Sequence, residues 1–176
     1  MKEKIKPLLP YIIIIVIVLF IKAFIITPIK VNGESMYPTL EEGDIMILNK
    51  TAYYFNEPKR FDIVVVDMPN EYLIKRVIGL PGEHIEYKDN TLYVDGKAVK
   101  ENFNHGKTDD FNIEELGSDT VPEDSYLVLG DNRESSLDSR ELGFMKEEQL
   151  LGRTSLIILP FNRIGSTNKV SSKRNY

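Results

Sequence analysis

Three lysines, at positions 2, 4 and 6, precede an apolar run from Leu8 to Ile21. Those 14 residues are short for a bilayer span, which takes about 20 residues at ~1.5 Å each. Apolar character resumes after Lys22, in Ala23-Phe24-Ile25-Ile26, and counting from Leu8 to Ile29 gives 22 residues. That length crosses a bilayer if Lys22 snorkels toward the interface. A cleaved leader would share the basic start and the apolar core. It would also need a small-x-small cleavage pattern, and here Ala23 stands alone before Thr27-Pro28. The expectation is therefore an uncleaved transmembrane helix within residues 1–29. With the lysines ahead of it, the N-terminus stays cytoplasmic and everything past Ile29 lies outside.

The rest of the chain is sized for one domain, here residues 30–165, with a polar tail at 166–176. Hydrophobic residues at 42% and charged residues at 28% describe a globular chain and not a disordered one. A net charge of −5 argues against a sequence-independent grip on nucleic acid. With no cysteine, disulfides, thiolate metal sites and cysteine nucleophiles are excluded. The two histidines, His84 and His105, show no ligand spacing, so neither a metal nor another cofactor is expected.

Short apolar or β-branched runs dominate this domain: Ile45 to Leu48, Ile63 to Val66, Leu73 to Ile78, Tyr126 to Leu129 and Leu156 to Leu159. Turn residues such as Glu42-Gly43-Asp44 and Leu80-Pro81-Gly82 separate them, which predicts a mostly β domain. Ile85-Glu86-Tyr87 and Leu92-Tyr93-Val94 read as a hairpin around Lys88 to Thr91, with a second tight turn at Asp95-Gly96. Residues 100–120 read as a polar loop, and Met145 to Leu151 as a short helix closed by Gly152.

Three segments carry candidate chemistry. Gly33-Glu34-Ser35-Met36-Tyr37-Pro38-Thr39-Leu40 is either a plain turn or a turn presenting a nucleophile. In Tyr72 to Gly82, period-two alternation puts Leu73, Lys75 and Val77 on one strand face. A lysine there either snorkels from an edge or is buried, and burial lowers its pKa toward that of a general base. Gly130 to Gly143 is dense in hydroxyls and opposite charges; it is either a solvated loop or a rigid brace for a site.

Together, in this order, G-E-S-M-Y-P-T-L, K-R-V-I-G-L-P-G and G-D-N-R-E-S-S-L-D-S-R resemble the type I signal peptidases, and the match runs from the anchor through Pro160-Phe161. The single short anchor and compact domain are similar to the Gram-positive form. The resemblance implies a membrane-bound serine endopeptidase that removes signal peptides from secreted preproteins through an acyl-enzyme. It also implies a fold of coiled antiparallel β-sheets behind one N-terminal transmembrane helix. Ser35 would be the nucleophile and Lys75 the general base, and no histidine sits in the three segments to offer a triad instead.

By the same resemblance Ser136 would orient the lysine amine, Asp131 and Arg76 would tie the third segment to the lysine strand, and Asp138 would pair with Arg140. The oxyanion hole would include the Ser35 backbone amide. Two residues before the nucleophile, the better-studied Gram-negative members carry a serine whose hydroxyl supplements that hole; here Gly33 has none. The substrate would lie extended between Pro28 to Gly33 and Tyr72 to Lys75, with Val31 and Ile74 lining pockets for small side chains. Its partners would be signal peptides and the lipid bilayer, with the secretion machinery a further candidate. The competing reading is a catalytically inactive, membrane-tethered binding module of the same fold; incubation with a preprotein separates the two.

Overall fold

A computed structural model describes residues 8–167. The lysines at 2, 4 and 6 and the tail beyond residue 167 lie outside the described residues. The chain begins with helix α1 (Leu9–Phe24), which is 16 residues long and has no buried residue. Twelve strands follow: β1 (Ile26–Lys30), β2 (Ile45–Asn49), β3 (Ile63–Asp67), β4 (Tyr72–Gly79), β5 (Ile85–Lys88), β6 (Thr91–Val94), β7 (Lys97–Val99), β8 (Phe111–Asn112), β9 (Ser125–Leu129), β10 (Met145–Lys146), β11 (Leu150–Leu159) and β12 (Gly165–Ser166). A second helix, α2 (Ser139–Leu142), is a single turn.

The N-terminal segment differs from the expectation of one 22-residue span. The helix stops at Phe24, and Ile26 to Lys30 pair with β2 instead. Two β-branched residues followed by Thr27-Pro28 explain the stop, since a residue before proline is pushed out of the helical region. The 16 residues of α1 extend ~24 Å. No helix among the described residues is long and apolar enough to cross a membrane.

The strands form two antiparallel sheets. The larger runs β1-β2-β11-β3-β4-β9-β10, with β12 beside β11; the smaller runs β7-β6-β5-β8. β11 lies between β2 and β3, so these two neighbours in sequence pair with it and not with each other. Its register slips between Leu150 and Gly152, between Thr154 and Ile157, and again before Leu159. Such bulges sharpen the local twist and curl the sheet.

The expected helix at Met145 to Leu151 is not present. Those residues enter β10, a single 3₁₀ turn at Glu147–Gln149 and the start of β11. Gly152 is no helix cap. Its φ is +148°, and a Cβ there would collide with the Asn49 carbonyl across the strand pair. The glycine marks a close backbone approach inside a strand. The residues 100–120 are likewise more than loop, because they contribute β8 and bury Phe111 and Ile113. β12 pairs with β11 through Gly165 and Ser166.

Strand alternation distributes the core. Val64 and Val66 of β3 pack with Val77, Tyr126 and Val128 on one side, while Ile63 packs with Val31, Met36, Leu40, Met46 and Ile157 on the other. β3 is therefore covered on both faces, which is why it reads as an unbroken Ile-Val-Val-Val run. Leu127 and Leu129 of β9 join Ile78 to receive the small sheet through Ile85, Tyr87, Leu92, Phe111 and Ile113. In that sheet both hairpin turns fall at the expected residues, with positive φ at Asp89 and Asn90 and again at Asp95 and Gly96. That is the pattern of the tight turns that match strand twist.

Candidate active site

Ser35 lies in the turn between β1 and β2, and the turn is fastened from below. Met36 and Leu40 are fully buried in the core. Thr39 Oγ1 donates to Asp131 Oδ2 at 2.5 Å. From the far side, Asn132 donates twice: its backbone N to the Ser35 carbonyl at 3.0 Å and its Nδ2 to the Glu34 carbonyl at 3.1 Å.

Lys75 comes from the middle of β4, in register with Val64 of β3. Only 2% of it is exposed. Its Nζ is hydrogen-bonded to Ser35 Oγ at 2.8 Å. Burial pushes the Lys75 amine below its ordinary pKa, and the carboxylates of Asp138 and Glu71 only partly oppose that.

The third segment is a braced loop. Arg76, on the opposite face of β4 from Lys75, grips Asp131 with two bonds, Nε to Oδ1 at 2.8 Å and Nη2 to Oδ2 at 2.5 Å. Its guanidinium also stands 3.9 Å over the Phe103 ring. Asp138 caps α2, pairs with Arg140 through two bonds of 2.9 Å, and accepts the Gly130 amide at 2.9 Å. The two expected pairs are therefore both formed.

Gly130 is packed so closely that a Cβ there would overlap the Ser136 side chain and the Ser35 carbonyl. Ser136 thus borders Ser35. Its hydroxyl has no hydrogen-bond partner among the described residues, so the expected bond from Ser136 to the Lys75 amine is not made. The amine is engaged by Ser35 instead.

Two contributors escaped the sequence reading. Asn132 was visible only as part of a polar motif. Arg133 is 2% exposed and links the loop to the small sheet. It donates to the Gly130 carbonyl at 3.0 Å, Tyr87 at 3.0 Å, Thr108 at 2.6 Å and Glu101 at 2.5 Å. Apart from Gly130, its partners lie far off in sequence, so no local signal marks it.

Ser35 and Lys75 open into a cleft of about 580 Å³ that Val31 and Ile74 also line. A wider groove of about 1060 Å³ adjoins it but contains neither Ser35 nor Lys75. The Ser35–Lys75 contact faces the smaller cleft.

The Arg76–Asp131 pair is wholly enclosed, 2% and 0% exposed. Removing one partner leaves a buried charge alone, so Asp131→Ala should cost about 3–5 kcal/mol of folding stability. A urea midpoint unchanged from wild type would show that the pair does not hold the loop.

Comparison with known proteins places this geometry. The family described as "Signal peptidase, peptidase S26" matches residues 4–159, so the chain belongs to that family of peptidases. More narrowly, it falls with the type I signal peptidases. It is 39% identical over 163 residues to a signal peptidase I of Bacillus amyloliquefaciens, covering 89% of this chain and 88% of the relative. It is 37% identical over 176 residues to signal peptidase IB of Staphylococcus aureus strain N315, covering 92% of each. A crystal structure of a signal peptidase I from Enterococcus faecalis V583 superposes with a TM-score of 0.51 at 42% identity, covering 56% of this chain and 97% of that one.

Proposed function

We propose that the chain removes signal peptides from secreted preproteins by a Ser35–Lys75 dyad, at the outer face of the cell membrane to which α1 anchors it. The observation that carries the reading is the 2.8 Å contact between Ser35 Oγ and an amine that is 2% exposed. A neutral amine accepts the Ser35 proton as Oγ attacks the scissile carbonyl. The resulting oxyanion is met by the Ser35 backbone amide. The ammonium returns its proton to the leaving amine, which leaves an acyl-enzyme. Water, activated by the amine once more, then releases the signal peptide. Asp131, Arg76, Asp138 and Arg140 hold the loop, and Ser136 walls the site beside Ser35. The bilayer and the secretion machinery are the remaining partners of this reading.

Substrate choice follows from the cleft. Val31 is 2% exposed, and with Ile74 it offers an apolar wall suited to small side chains. The edge of β1 and the start of β4 leave a slot for an extended peptide, whose backbone adds as a strand. For the anchor, α1 is apolar on every face up to Lys22 in its last turn, with no residue buried, which is the pattern of a helix solvated by lipid.

Purified protein should cleave a peptide carrying an Ala-x-Ala site, and Lys75→Met should not. Equal cleavage by both would overturn the dyad. Orientation is tested in intact protoplasts, where protease added outside should digest the domain. Protection until lysis would reverse the topology.

A further inference from the structure

The end of α1 is fastened by two side chains of the catalytic cleft. A helix leaves its last four carbonyls without partners inside the helix. Here the Lys22 carbonyl accepts Thr27 Oγ1 at 2.9 Å, and the Ala23 carbonyl accepts Lys50 Nζ at 3.0 Å. The Lys50 backbone amide adds a third tie, to the Ile25 carbonyl at 2.9 Å. An ammonium at a helix C-terminus also meets the negative end of the helix dipole. Thr27 and Lys50 line the same cleft as Ser35 and Lys75.

We propose that Lys50, seconded by Thr27, is a positioning residue that fixes the membrane-side end of the cleft and thereby sets how far from its apolar segment a substrate is cut. The proposal rests on the reading of α1 as the anchor. The extended part of the connection between the helix end and the Ser35 turn is β1, five residues long, or ~16 Å of chain. A substrate strand lying beside it, with its own apolar segment level with α1, spans that gap with about five residues. A swivelling helix would let the apolar segment approach or recede, and cleavage would tolerate other spacings. With Lys50 bonded to Ala23, one spacing is preferred.

The test uses the full-length enzyme in lipid vesicles with a ladder of precursors. Each carries an apolar span, a spacer of roughly two to eight residues and one Ala-x-Ala site. Every rate is divided by that variant's own rate on a short soluble Ala-x-Ala peptide, so changes in the chemistry cancel. Wild type should peak near about five spacer residues and fall at least about tenfold on either side. Lys50→Met should flatten the ladder to within about twofold. Lys50→Arg should restore the peak, because guanidinium can still donate to the Ala23 carbonyl. A sharp, unmoved peak in Lys50→Met would overturn the clamp, as would a flat ladder in wild type. Wild type that fails on the soluble peptide would instead overturn the dyad reading beneath it.

Discussion

Lys75→Arg is expected to abolish peptide cleavage, with a loss of ~10⁴-fold or more in kcat/KM. Guanidinium stays protonated in proteins and cannot accept the Ser35 proton. Its bulk must also enter a site where only 2% of the lysine is exposed. Ser35→Ala should be as inactive, and the double variant no worse than either single one, because a dyad fails as a unit. Near-normal cleavage by purified Lys75→Arg would sink the mechanism.

The same burial makes a stability forecast. Burial lowers the Lys75 pKa in the folded protein, so between that value and about 10.4 the unfolded chain holds a proton that the folded one does not. Stability from this group therefore rises with pH across that window and carries its full penalty below it. Lys75→Met, inactive, should melt at a higher temperature than wild type at neutral pH, with the gap closing as pH climbs toward about 10.4. A gap that widened with pH would show that the amine is not the source.

Gly130→Ala should also cost much of the activity, with no catalytic group altered. The added methyl would overlap both the Ser136 side chain and the Ser35 carbonyl. That carbonyl is pinned by the Asn132 amide at 3.0 Å, so Ser35 cannot yield without breaking the clamp. A misplacement of about 1 Å costs about a hundredfold in rate, and overpacking adds about 1–3 kcal/mol of destabilisation. Measured as kcat on a soluble peptide, activity within about twofold of wild type would show that the loop has room to spare.

Much of this site is legible in the residues, for identifiable reasons. Strand alternation alone separates Lys75 from Arg76, and the structure sends them to Ser35 and Asp131 respectively. The hairpin at Asp89-Asn90 is legible because turn chemistry is local. What failed was non-local. Gly152 resembles a helix stop until Asn49 is seen pressing on it from another strand. Ile25 to Ile29 reads as continued membrane span by hydropathy, yet strand pairing with β2 claims most of it. Arg133 draws partners from Tyr87, Glu101 and Thr108, which no window of sequence shows together. The Ser136 bond to Lys75, expected by resemblance, is likewise decided by which oxygen sits nearest the amine.

The place of β11 between β2 and β3 has a consequence for the birth of the enzyme. Ser35 belongs to the β1–β2 half and Lys75 to the β3–β4 half, and residues 150–159 stitch the halves together. During synthesis Ser35 emerges first, then Lys75, and β11 follows both. A nascent chain halted before Leu150 carries both residues without the strand that joins their two halves of the sheet. The sheet that carries Ser35 and Lys75 is thus completed by a strand that follows both of them in the chain.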